Sequence, residues 1–179
     1  MDNLAHIEPC VIFLTGLSGA GKTTIANKLA QELKSTGIIP IVLDGDEIRK
    51  AIHISGFDEE ARKKHNLGVG SLAALFEAQG HIVIVALIAP YEETRNQIRS
   101  ICRNFTEVYL ATDINVCIER DTKGLYKKAI SGEIKDFTGI SAPYHPPKNP
   151  ELVLDTAVLS IDTCTKKIMG QLKKNDGHL

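Results

Sequence analysis

The sequence predicts a single α/β domain built on a mostly parallel five-stranded sheet with helices on both faces. Three observations point there. Short β-branched runs alternate with longer segments of helical periodicity. The 179 residues suffice for one full core but not for two ordinary domains. Charged residues at 24% and hydrophobic residues at 43% are ordinary globular values, and no repeat or low-complexity segment interrupts them.

The first strand is read at Cys10–Thr15, an unbroken apolar run with the length of a buried strand, and Lys22–Ser35 after it has amphipathic helical spacing. Ile39–Leu43, Ile82–Leu87, Glu107–Leu110 and Leu152–Leu154 supply the other strands. Helices are expected at Asp58–Gln79, Tyr91–Arg103, Ile114–Asp121 and Ile161–Lys173. From Lys123 to Pro150 the rhythm breaks into a stretch rich in Gly, Pro and Lys that ends in Pro146-Pro147 and Pro150. Long irregular excursions in compact domains are usually functional, so a lid is expected over about 122–150. The polar tail from Lys173 is expected to fray.

Charge and cysteine usage narrow the function classes. Lys plus Arg number 21 against 22 Asp plus Glu, which leaves no global basic field for a nucleic-acid backbone, and aromatic residues are only 5%. Cys10, Cys102, Cys117 and Cys164 have no spacing typical of a metal knuckle or disulfide scaffold and are expected to be reduced. Met1–Pro9 lacks the pattern of a secretory signal, and no apolar run approaches the roughly 20 residues of a membrane span. No membrane partner is expected, and the cytoplasm is the expected compartment.

The strongest chemical signal is Gly16-Leu17-Ser18-Gly19-Ala20-Gly21-Lys22-Thr23, which fits G-x-x-x-x-G-K-S/T without a mismatch. Its glycines let successive backbone N–H groups converge on phosphate oxygens at the start of a helix. Lys22 is placed to reach the β and γ phosphates, and the Thr23 hydroxyl to hold Mg²⁺. A glycine-rich turn that binds nothing would need neither the buried strand before it nor the amphipathic helix after it. The implied ligands are ATP, or another nucleoside triphosphate, and Mg²⁺.

The second strand runs into Leu43-Asp44-Gly45-Asp46-Glu47-Ile48-Arg49 and delivers acids and an arginine to the carboxyl end of the sheet, where open α/β folds bind ligands. The cluster can activate an acceptor hydroxyl. Equally, Asp46 can cap the next helix and Arg49 can pair with Glu47 or another neighbour.

At this point the chain resembles the adenylylsulfate kinases (APS kinases). The resemblance rests on Gly16 to Thr24, on Asp44-Gly45-Asp46 with Arg49, on Gly56-Phe57, and on Ile82-Val83-Ile84-Val85-Ala86 leading to Pro90-Tyr91. It rests further on Arg120-Asp121-Thr122-Lys123-Gly124-Leu125-Tyr126-Lys127-Lys128-Ala129, on Gly132-Glu133-Ile134-Lys135, and on Phe137-Thr138-Gly139-Ile140-Ser141-Ala142-Pro143-Tyr144. It implies a single-domain P-loop kinase with a lid, moving the γ-phosphoryl group of ATP to the 3′-hydroxyl of adenosine 5′-phosphosulfate. It also implies a homodimer. By the same resemblance Asp46 lies near the acceptor hydroxyl and the metal, Arg49 and Arg62 hold the phosphosulfate, and Phe57 and Phe137 sandwich the adenine. Lys123 opens the lid, with Lys127, Lys128 and Lys135 as further basic residues.

Two positions depart from the family pattern. His65 stands where many members have a substrate-contacting Asn, and it can still supply one hydrogen bond. Ala89 replaces a serine that has been described as a phosphoserine intermediate. Alanine carries no nucleophile, so the expected reaction is direct in-line transfer. Two alternatives stay open: a related kinase with another nucleotide acceptor, such as a cytidine diphosphate derivative, and a non-catalytic ATP-binding module.

Overall fold

In the computed structural model, which describes residues 7–175, the chain forms five strands and seven helices. The strands are β1 (Cys10–Thr15), β2 (Ile41–Asp44), β3 (Ile82–Ala86), β4 (Phe105–Leu110) and β5 (Leu152–Leu154). The helices are α1 (Lys22–Ser35), α2 (Gly45–Ala51), α3 (Glu59–Ala78), α4 (Glu92–Ile101), α5 (Ile114–Arg120), α6 (Leu125–Ile130) and α7 (Ile161–Asn175).

The sheet is parallel throughout, in the order β2-β3-β1-β4-β5. Strand β1 is buried on both faces, and its alternation feeds two cores. Cys10, Ile12 and Leu14 pack with Ile25, Leu29 and Leu33 of α1 and with Cys164, Ile168 and Leu172 of α7. Val11 and Phe13 pack on the other face with Val69 and Ala73 of α3 and Ile98 of α4. That two-sided burial is why the strand reads as a continuous apolar run rather than an alternating one. The chain builds β1, β2 and β3 on one side and then crosses to β4 and β5, so the loops at the carboxyl ends part beside β1, the position at which open α/β sheets bind ligands.

Two short helices, α2 and α6, are absent from the sequence reading, and several element ends shift by one or two residues. The segment after β2 forms α2: the Asp44 carboxylate accepts from the backbone N–H of Asp46 (2.9 Å) and Glu47 (3.4 Å), with acids in the first turn and Arg49 and Lys50 in the last. The cap is therefore Asp44, not Asp46. The irregular excursion opens with α6, whose first turn is held by the Asp121 carboxylate accepting from Tyr126 N and Lys127 N, each at 3.0 Å. Strand β2 begins two residues later than expected because Pro40 has no N–H for a ladder. Helix α7 continues past Lys173 to Asn175, and the remainder of the tail, like residues 1–6, lies outside the described residues. Among the described residues, no helix is long and apolar enough to cross a membrane.

Candidate active site

The phosphate loop joins β1 to α1 as the sequence predicts. Gly16 must be glycine: with φ at 150°, a Cβ there would sit 2.8 Å from the Leu110 carbonyl oxygen. Gly21 takes the left-handed conformation (φ 94°) at the start of α1, which begins without a side-chain cap and so leaves its first amides facing the loop. Lys22 folds back, Nζ donating to the carbonyls of Gly16 (2.9 Å) and Leu17 (2.8 Å). Burial pulls its pKa down from 10.5 to about 8, against the opposing pull of Asp46. The Thr23 hydroxyl donates to Asp44 Oδ2 at 2.6 Å, so the carboxylate that caps α2 also touches the phosphate loop.

Helix α2 carries Asp46 and Arg49 to the same mouth. Asp46 Oδ2 accepts from Lys123 Nζ at 2.5 Å, although the two residues are 77 positions apart. Partial burial alone would raise the Asp46 pKa, but Lys123, Lys22 and Lys50 outweigh it and hold the carboxyl below its usual range. Arg49 donates through Nη1 to Gly56 O (2.8 Å), and its guanidinium lies 4.7 Å from the centre of the Phe57 ring.

Helix α3 contributes Arg62 and His65, both buried. Arg62 donates from Nε to Phe57 O (2.5 Å), from Nη1 to Thr138 Oγ1 (3.0 Å) and from Nη2 to Asp136 O (2.6 Å). One side chain thereby ties α3 to the loop before it and to the middle of the irregular segment. His65 Nε2 lies 3.0 Å from Gly45 O, and because a carbonyl only accepts, that nitrogen carries the proton. Burial, followed by the nearby Arg49 charge, lowers the His65 pKa below 6.5, and the buried Nδ1 has no partner.

These groups surround one cavity of about 410 Å³. Ser18, Gly19, Gly21, Lys22, Thr23 and Thr24 line it on the loop side, and Asp46, Arg49, Phe57, Arg62, His65 and Lys123 line it opposite. Gly16, Leu17 and Ala20 build the loop beneath. Phe137 is not brought to the cavity: it is buried against Tyr126, ring centres 5.0 Å apart and edge-on, and it does not face Phe57 across a gap. Sequence reasoning missed the wall formed by Arg120, Thr156, Leu159 and Ile161, where Arg120 donates to Thr156 Oγ1 (2.8 Å) and Thr156 O (2.7 Å). The available signal was that Thr156 follows a strand end, on the side of the sheet where ligands bind.

Fold and loop together define a P-loop kinase. Residues 8–155 match the family model for adenylylsulphate kinase. The chain is 46% identical over 168 residues to an adenylyl-sulfate kinase of Bacillus velezensis, covering 92% of this chain and 85% of that protein. It is 47% identical over 167 residues to a probable adenylyl-sulfate kinase of Bacillus subtilis, with the same two coverages, 92% and 85%. Among solved structures, the Mycobacterium tuberculosis APS kinase CysC in complex with AMPPNP and APS superposes with a TM-score of 0.89 at 36% identity, covering 94% of this chain and 99% of that one. The chain belongs to the adenylylsulphate kinase family.

Proposed function

We propose that this protein transfers the γ-phosphoryl group of ATP to the 3′-hydroxyl of adenosine 5′-phosphosulfate, giving 3′-phosphoadenosine 5′-phosphosulfate and ADP. The observation that carries the reading is the shared cavity: a complete phosphate loop on one side, and the Asp46–Lys123 pair with Arg49 and Arg62 on the other. Phosphoryl transfer asks a protein chiefly for positioning and charge neutralisation, and this inventory supplies both.

In this reading Lys22 leaves its two loop carbonyls for the transferring phosphate, and its buried ammonium gains a partner of opposite charge. The backbone of Gly16 to Thr24 cradles the remaining phosphates. Thr23 and Asp44 offer two hard oxygens beside the loop, which fits a Mg²⁺ that takes few protein ligands and completes its shell with phosphate and water. Bound there, the metal would neutralise charge building on the phosphate oxygens. Asp46 orients the acceptor hydroxyl and accepts its proton, while Lys123 balances the resulting charge. Arg49 and Arg62 hold the phosphosulfate end, where Arg62 has N–H groups beyond the three already engaged. Phe57 stacks on the acceptor base and His65 hydrogen-bonds the acceptor nucleoside. Phe137 joins Phe57 only when the segment over about 122–150 moves as a lid. A homodimer in the cytoplasm completes the reading, and sedimentation of the purified protein tests the oligomer.

The deciding experiment measures ADP release with Mg-ATP and adenosine 5′-phosphosulfate, against a panel of other nucleotide acceptors, a no-acceptor blank and an Asp46→Ala control. Release specific to adenosine 5′-phosphosulfate and lost in the control supports the reading. Release only with another panel member reassigns the acceptor, and release with none leaves a nucleotide-binding module.

A further inference from the structure

Arg95 of α4 has no part in the chemistry above, yet it is one of the bulkiest side chains in the core and is only 2% exposed. Its guanidinium makes three directed bonds: Nη1 to Ala89 O at 2.7 Å, Nη2 to His145 O at 2.7 Å, and Nε to Glu107 Oε1 at 3.0 Å. Glu107 is shared with Arg99 (3.2 Å), which grips Glu151 at 2.7 and 2.9 Å, so the buried charges are compensated in a chain.

This network lies behind a wall of the cavity. Ile88, Ala89 and Pro90 line the cavity and follow β3, next to the β2 end that carries Asp46. Ala89 is buried in the left-handed conformation, φ 44°, which an alanine keeps only when its surroundings over-determine it. The surroundings here are specific. Arg95 holds the Ala89 carbonyl, the Thr15 hydroxyl donates to Ile88 O (2.6 Å), and His145 N donates to Pro90 O (2.8 Å). The strap at Tyr144–His145 is in turn fixed by Tyr144 Oη at 3.0 Å from Thr15 Oγ1 and by Arg95 on His145 O.

We propose that Arg95 is a positioning residue for the acceptor substrate. By holding the Ala89 and His145 carbonyls on one rigid fork, it keeps Ala89, at the centre of the Ile88–Pro90 wall, in its left-handed conformation on the acceptor side of the cavity. The inference rests on the kinase reading above. A lysine cannot reproduce it, because a single ammonium lacks the planar spacing that reaches two carbonyls and a carboxylate at once. The opposite wall, formed by Arg120, Thr156, Leu159 and Ile161, has no bond to Arg95, so the nucleotide side is independent of it.

The test compares wild type, Arg95→Lys, Ala89→Gly and the double variant by steady-state kinetics and thermal melting. Each KM is measured with the other substrate saturating. Arg95→Lys is expected to raise the KM for adenosine 5′-phosphosulfate about tenfold and to leave the KM for ATP within about twofold. Adding Ala89→Gly recovers most of that loss, because glycine holds φ 44° without the clamp. A residue that only stabilises the fold would lower the melting temperature and the active fraction without separating the two KM values. Equal changes in both KM values, no change in either, or a double variant showing no recovery overturns the proposal. Wild-type protein that does not turn over adenosine 5′-phosphosulfate overturns the kinase reading and this inference with it, whereas wild-type turnover with unseparated KM values overturns this inference alone.

Discussion

Lys123 Nζ and Asp46 Oδ2 meet at 2.5 Å across the mouth of the cavity, joining the segment after α5 to α2, and both side chains are more than half exposed. An ion pair so open to water contributes little to stability. Its two charges are therefore available for chemistry. Lys123→Ala is expected to lower kcat by about 10²–10³-fold, the range for losing one preorganised charge at a reacting centre. The melting temperature should stay within about 2 °C of wild type, since less than about 1 kcal/mol is at stake in a domain of this size. Parallel activity and melting measurements check this, and a large melting shift would show the pair to be structural instead.

Lys22 gives a pH signature. Its pKa in the folded chain is about 8 against 10.5 unperturbed, so between those values the unfolded chain binds the proton that the folded chain has released. Stability must then rise with pH across that window, and the cost of burying the charge is fully present below pH 8. Lys22→Met is expected to flatten this rise and to stabilise the free protein at pH 7, while abolishing ATP turnover. Urea unfolding at several pH values from 7 to 10 checks the first part. Nucleotide phosphates should raise the Lys22 pKa again, so ADP binding at pH 8.5 should take up protons. Calorimetry in two buffers of different ionisation enthalpy measures that uptake directly.

What was legible in the sequence was local. The phosphate loop is contiguous, and its strand, turn and helix carry their own signals, so Gly16 to Thr23 were placed from the residues alone. Asp44 was harder, because one carboxylate serves a cap on α2 and a contact to Thr23 that lies 21 residues away in sequence. Helix α2 begins with glycine and is only seven residues long, too short for periodicity to declare it. Arg62 to Asp136 and Arg95 to His145 are bonds between distant segments that no local pattern encodes. Phe137 is buried because Tyr126 of α6 packs against it, and α6 itself was hidden in the Gly- and Lys-rich stretch.

Arg62 should be costly to replace for structural as well as substrate reasons. Its three hydrogen bonds are each worth about 1 kcal/mol, and their removal strands the carbonyls of Phe57 and Asp136. Arg62→Ala is expected to destabilise by about 2–3 kcal/mol and to lower the melting temperature by about 4–10 °C. The release should be local to the segment that Arg62 holds. Limited proteolysis is expected to cut first between residues 122 and 150 in the variant, while wild type resists there. Uniform cleavage would mean that Arg62 supports the whole fold rather than this segment.

His65 makes the acid side of the stability profile testable. Its ring donates from Nε2 to Gly45 O while Nδ1 is buried without a partner, so adding a second proton would create a buried cation beside Arg49. Burial and Arg49 together depress its pKa below 6.5 in the folded chain, while the unfolded chain titrates at about 6.5. Well above 6.5 the ring is neutral in both states and contributes no pH dependence. As the pH falls below 6.5 the unfolded chain takes up the proton first, so stability drops and then levels once the pH passes the folded pKa. His65→Gln removes the titrating ring and keeps an amide nitrogen at the reach of the imidazole Nε2, able to donate to Gly45 O. Its unfolding free energy is therefore expected to be flatter than that of wild type between pH 7 and 5, with the two proteins closest in slope above pH 7. An unchanged slope in the variant would assign the acid loss to the carboxylates, with Asp46, Asp121 and Glu151, whose pKa values are all depressed in the folded chain, as the groups to test next.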